Sequence, residues 1–299
     1  MCKKTNCFVL VSLLALILLT VCGAFFDYEI ANALYLGQLP TENIFGIIFA
    51  FIGISPTFVG WSFLGASILY LSKKIDKTTK RRLLIAFSVL LFILSFFYFC
   101  NTIMMVNDNA FPVHWAVAYP IGIAIIVGVA YLGYIMAQKS ENPNLLKTLL
   151  FLALVSIITM VIIMSTKEIM DRPRFRWVLK MGNPEFFKNF WESGSLLKAS
   201  FGTAINDEFS SFPSGHSAYS MFAIFLFPVI SDYFPKLEKH RILFFALGFI
   251  WWALTALSRI TVGAHYLTDV SIAGIITILA YIIVYATTKK HKKRKTFIN

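Results

Sequence analysis

The sequence predicts an all-α fold, a polytopic membrane helix bundle of about eight transmembrane helices. Three observations predict it. The 299 residues are 58% hydrophobic and only 14% charged, with 30 phenylalanines, a balance beyond what a water-soluble core requires. Apolar runs long enough to cross a bilayer recur along the chain, with short polar turns between them. Lysines and arginines gather in the turns at alternate ends of those runs, as cations do across a membrane. No internal repeat and no low-complexity linker interrupts the pattern, so one integral unit is the simplest organisation. Its parts are N-terminal transmembrane helices over 1–150, a core over 151–286, and a basic tail over 287–299.

The first span runs from about Phe8 to Phe26. Cys22-Gly23-Ala24 offers a small-residue cleavage site, but the run is long enough to span, and an uncleaved helix is the favoured reading. Asp27 to Asn43 is polar with an apolar stripe of Ile30, Leu34 and Leu36, which suggests a short interfacial helix or a plain connection. The second span covers about Ile44 to Leu71, with Pro56 marking a kink or break. The third covers about Leu83 to Val106. The loop after it carries His114, which reads as structural rather than catalytic.

The fourth span is about Trp115 to Ala137. The fifth, about Leu149 to Thr166, delivers Lys167 to its far end, and Pro173 stops any further helix. The stretch from Asp171 to Phe212 spans nothing. Within it Asn183-Pro184 signals a helix start, and Phe186, Phe187, Phe190 and Trp191 form an aromatic group. That group reads equally as a plug over the bundle or as a membrane-dipping element. The sixth span runs from Pro213 to about Ile230 and the seventh from about Ile242 to Ser258. Gly263 permits a tight return, and the eighth runs from about His265 to Ala286.

The net charge of +12 could indicate nucleic acid, but its placement indicates lipid. The tail Lys289-Lys290-His291-Lys292-Lys293-Arg294-Lys295 directly follows an apolar run, where cations meet anionic headgroups. With that tail cytoplasmic, eight spans put the N-terminus and 19 of the 27 lysines and arginines on the same side. The other eight lie on the outer face, among them Lys167, Arg174 and Arg259. Expected partners are therefore membrane lipids and no nucleic acid, in a multi-pass cell-membrane protein. Cys2, Cys7, Cys22 and Cys100 make neither a metal spacing nor a disulfide framework.

Chemistry-bearing residues concentrate at the outer ends of the later spans. Lys167 precedes Arg174 by seven positions. Pro213-Ser214-Gly215-His216 opens the sixth span. Ser258-Arg259 leads to His265, and Asp269 comes one helical turn later. Charged groups at a membrane boundary are costly unless they serve one another or a ligand. Arg and Lys match phosphate oxygens. A Ser-Gly turn entering a helix offers backbone N–H groups at the positive end of a dipole. Two histidines can supply a nucleophile and an acid.

These three motifs resemble the type 2 phosphatidic acid phosphatase family, whose pattern is shared with vanadium haloperoxidases. The family reads Lys-x6-Arg-Pro, then Pro-Ser-Gly-His, then Ser-Arg-x5-His-x3-Asp. The second and third match throughout, while Phe175 stands where the first has Pro. An Arg172-Pro173 pair lies two residues earlier, but that register puts Ser165 where Lys belongs. Lys167 and Arg174 are kept, with Arg172 as a possible alternative.

The resemblance implies a type 2 phosphatidic acid phosphatase-like catalytic core and a lipid phosphatase acting at the outer membrane–water boundary. Its substrate would be phosphatidic acid, phosphatidylglycerol phosphate or undecaprenyl diphosphate in class. It implies His265 as nucleophile, forming a phosphohistidine, and His216 as acid and then base. Asp269 is expected to accept one His265 ring N–H and so fix its tautomer. Lys167, Arg174 and Arg259 would hold the phosphoryl oxygens, with Ser214 and the N–H groups near Gly215 as neutral donors. With three cations in place, no metal and no cofactor is expected. A phosphotransferase of the same family, or a non-catalytic transporter or scaffold, is the alternative.

Overall fold

A computed structural model describes residues 3–39, 41–108, 115–202 and 207–296. His114 lies outside them. All regular elements among the described residues are helical. Seven stretches are long and apolar enough to cross a membrane: Cys7–Leu34, Ile44–Ser72, Thr78–Cys100, Ala118–Lys139, Leu145–Met181, Pro235–Thr261 and Leu267–Thr288. The chain is thus a helical, multi-pass bundle.

The expected sixth span is built differently. In its place stand α9 (Gly215–Met221), α10 (Ala223–Leu226), a 3-10 turn at Phe227–Val229 and α11 (Ile230–Tyr233). Pro228 removes one backbone donor inside this stretch. Ser217 and Ser220 are fully buried with Met221, Phe222 and Ile224, so protein and not lipid surrounds it. Close backbone packing is what admits it. A side chain on Gly248 of α12 (Arg241–Thr261) would meet the Ala223 backbone at 2.6 Å. Small residues let helices approach in this way where the solvent supplies no hydrophobic drive.

Three other expectations change. α1 (Lys3–Leu34) does not stop at Phe26; it kinks there (φ −132°, ψ 19°) and continues. Asp27, expected at the interface, is buried. The second span divides at Gly53 into α2 (Ile44–Ile52) and α3 (Ser55–Ser72), with Pro56 in the first turn of α3. A side chain on Gly53 would strike both the Phe49 carbonyl and the Thr255 side chain, so this joint lies tight on α12. Asn183 does act as a cap, accepting the Glu185 N–H at 3.0 Å, but it opens only a single 3-10 turn, Pro184–Phe186.

The remaining helices frame these parts. α4 (Thr78–Asp108) and α5 (Trp115–Lys139) pack on α3. α6 (Leu145–Met170) ends in a left-handed Asp171 (φ 44°), after which Pro173 prevents continuation. α7 (Phe175–Met181) and α8 (Ser195–Phe201) form a cap with the aromatic group. There Phe186 stacks on Trp177 at 5.6 Å and Phe187 meets Tyr266 edge-on at 5.2 Å. Gly263 makes the tight return into α13 (Leu267–Thr296) at φ +64°.

Candidate active site

The ends of α6, α9, α12 and α13 meet beneath the α7–α8 cap, and they carry the three motifs. Lys167, in the last turn of α6, donates from Nζ to the Ser210 carbonyl at 2.5 Å. Its Cε lies 3.8 Å from where a Gly215 side chain would begin, which joins the first motif to the second. Ser214 caps α9, its hydroxyl oxygen accepting the Ser217 N–H at 3.3 Å. Its own N–H donates to the Asp269 carbonyl at 3.1 Å, which joins the second motif to the third. The Phe212–Pro213 peptide before it is cis.

His265 sits in the short return between α12 and α13. Its Nδ1 lies 2.6 Å from the Ser211 carbonyl and 3.7 Å from Asp269 Oδ2. The expected direct bond to Asp269 is therefore replaced. A carbonyl can only accept, so Nδ1 carries the proton and Nε2 keeps its lone pair. Asp269 acts one step back. Its Oδ2 accepts the Ser211 hydroxyl at 2.6 Å and the Tyr266 N–H at 2.8 Å. Burial drives the His265 imidazole down to about 3, outweighing the pull of Asp269 in the other direction. Burial thus favours the neutral ring.

Arg172 and Arg174 have separate roles in the structure. Arg172 is fully buried. It donates from one terminal nitrogen to Asp269 Oδ1 at 2.5 Å and from the other to Asp27 Oδ2 at 2.9 Å. Nε donates to the Lys188 carbonyl at 2.8 Å, and the guanidinium lies 4.2 Å from the Tyr266 ring centroid. Every face of that side chain is committed. Arg174 instead donates to Asp207 Oδ1 at 2.8 Å, and the Asp207 side chain is 63% exposed. Burial raises the Asp207 carboxyl, but Arg174 and Arg176 draw it below the usual carboxylate range overall. Arg176 also bonds Glu208 Oε2 at 2.9 Å.

The last cation and the second histidine face α2. Arg259 donates to the Gly46 carbonyl at 2.5 Å, and His216 Nε2 lies 3.1 Å from the Ala50 carbonyl. The α2–α3 break leaves carbonyls at the end of α2 without helical donors, which makes Ala50 available to His216. Burial, and then the neighbouring Arg259, His265 and Arg174, lowers the His216 imidazole; Arg174 and Asp269 also neighbour Lys167. All the residues expected from the sequence are thus drawn into one cluster. Sequence reasoning missed Ser211, Asp207, Arg176, Asp27 and the carbonyls of α2. Ser211 sits two residues before Pro213 and Arg176 two after Arg174, close enough to be suspected, but Asp207, Asp27 and the α2 carbonyls lie outside the motifs. Among the described residues no group of three His, Cys, Asp or Glu side chains could hold a metal.

Comparison with known proteins places this region. Residues 145–293 match the model of the PAP2 superfamily. The chain is 29% identical over 101 residues to phosphatidylglycerophosphatase B of Bacillus subtilis (strain 168), covering 32% of this chain and 48% of that protein. The match thus spans about half the length of that relative. No solved structure gives a significant match.

Proposed function

Given that residues 145–293 form a PAP2 superfamily domain, we propose that this protein is a lipid phosphate phosphatase working without a metal through a phosphohistidine. The division of labour among the cations carries the reading. Arg172 is neutralised by two buried carboxylates. Lys167 and Arg259 donate to backbone carbonyls, and Arg174 to a solvent-exposed carboxylate. Three cations around two histidines can therefore exchange those oxygens for the three of a phosphoryl group.

His265 attacks phosphorus through the Nε2 lone pair, and the bond from phosphorus to the lipid oxygen breaks in line. Lys167, Arg174 and Arg259 take up the charge that spreads over the equatorial oxygens. His216, taken to its imidazolium form beside the bound phosphoryl anion, gives a proton to the departing alkoxide and is left neutral. It then takes one from water, whose oxygen attacks phosphorus, breaks the bond to nitrogen and releases phosphate. A diphosphate substrate differs only in releasing a lipid monophosphate as leaving group. The name of the Bacillus subtilis relative supports phosphatidylglycerol phosphate as the first substrate to try. Phosphatidic acid and undecaprenyl diphosphate come after it.

If the broken stretch α9–α11 is counted as an eighth crossing beside the seven long spans, the cation distribution supports a site on the extracytoplasmic face with both termini cytoplasmic. The functional divisions at 150 and 286 belong to the same reading, with the long N-terminal helices walling the catalytic core. The test is phosphate release by the purified chain from those three lipids. Release from at least one supports the proposal; no release from any of them refutes it.

A further inference from the structure

Asp27 is buried, lies outside residues 145–293, and takes no part in the steps above. We propose that Asp27, carried by α1, is a positioning residue for phosphoryl transfer: it sets Asp269, and through Asp269 and Ser211 the nucleophile His265. The inference rests on the phosphatase reading.

The approach of α1 is what makes this contact. Gly23, one turn before Asp27, faces the start of α13. A side chain there would lie 2.8 Å from Asp27 Oδ1 and 2.9 Å from Thr268 Cγ2, so the bare backbone is needed. The kink at Phe26 then turns the carboxylate in. Oδ1 accepts the Thr268 N–H at 2.9 Å, and Oδ2 accepts the Thr268 hydroxyl. That N–H belongs to the first turn of α13, which has no acceptor of its own. Asp27 therefore caps α13 from another helix, with its charge at the favourable end of the dipole.

Oδ2 also takes one terminal nitrogen of Arg172 at 2.9 Å, while the other nitrogen meets Asp269 at 2.5 Å and Thr268 Oγ1 at 2.9 Å. A guanidinium is planar and rigid. Anchoring one nitrogen on Asp27 thus dictates where the other meets Asp269. From Asp269 the bonds run to the Ser211 hydroxyl, and from the Ser211 carbonyl to His265 Nδ1, each at 2.6 Å. Every link is buried or nearly so, where hydrogen bonds are strongest and misplacement is most costly. A helix outside the matched domain thereby completes the support of the nucleophile.

A simple anchor for α1 would change folding but not turnover per folded molecule. The test therefore compares full-length wild type with Asp27→Asn, counted as folded enzyme, on dioctanoyl phosphatidate. Inorganic phosphate serves as a competitive inhibitor. The expected result is a kcat lower by about tenfold or more, as for members of one coupled network. KM and the inhibition constant for phosphate should stay within about twofold, because Lys167, Arg174 and Arg259 are untouched. An unchanged kcat, or a loss confined to KM or melting temperature, overturns the proposal. If Asp27→Asn does not fold, Thr268→Val decides by the same criteria. It removes the hydroxyl shared by Asp27 and Arg172 while keeping side-chain shape. A wild type inactive on every lipid tested removes the phosphatase reading and this proposal with it. An active wild type with an unaffected Asp27→Asn removes this proposal alone.

Discussion

Replacing Arg172 and Arg174 one at a time by alanine should separate stability from catalysis. Arg172→Ala leaves Asp27 and Asp269 buried without their shared counter-ion, at 2% and 0% side-chain exposure. Breaking a buried pair by removing one partner costs about 3–5 kcal/mol. The melting temperature should fall by on the order of 10 °C. Arg174→Ala removes an ion pair whose acid is 63% exposed, and such pairs contribute less than about 1 kcal/mol to stability. Its melting temperature should stay near that of wild type. Its kcat should fall by about 10²–10³-fold, the effect of deleting one charge-stabilising donor at the transition state. Fluorescence-detected unfolding in detergent and phosphate release from dioctanoyl phosphatidate measure the two quantities on the same preparations. A wild-type melting temperature for Arg172→Ala together with the larger kcat loss would refute the assignment and make Arg172 the phosphate ligand.

The proposed chemistry and orientation each make a further prediction. Excess chelator should leave hydrolysis intact and vanadate should inhibit, because vanadate takes the five-coordinate geometry of in-line attack; activity lost to chelator and restored by magnesium contradicts this. A single cysteine at Ser195, exposed in α8, should react with an impermeant thiol reagent in intact cells when the native cysteines are absent. Labelling only after the membrane is opened reverses the orientation.

Long apolar runs made the bundle legible, because a bilayer demands that composition whatever the neighbours. The segment from Pro213 to Ile230 shows where that reasoning stops. Its apolar content matches a lipid-facing span, yet Ser217 and Ser220 are fully buried in protein, and burial among helices leaves no mark in hydropathy. The site was legible where it is local. Ser214-Gly215-His216 is set by a turn that opens a helix, whereas His265 lies before α13 and is joined to Asp269 through Ser211. The Ser211 carbonyl, the Gly46 and Ala50 carbonyls and Asp27 are backbone or distant partners, and the packing that brings them in exists only in three dimensions. Arg172 and Arg174, two residues apart, could be ranked from sequence only by counting register. Their partners, two buried carboxylates against one exposed carboxylate, distinguish them physically.

In the proposed mechanism His265 takes the phosphoryl group and His216 serves the leaving group. Rapid quenching of the enzyme with labelled lipid phosphate, followed by isolation of the acid-labile protein-bound label, tests it directly. Phosphohistidine should build up in His216→Ala, whose second step lacks its base, and be absent in His265→Ala. His216→Ala should lose turnover on the lipid by about 10²–10⁴-fold and less on p-nitrophenyl phosphate, whose leaving group departs without a proton. Covalent label that persists in His265→Ala and disappears in His216→Ala would reverse the two roles and make His216 the nucleophile.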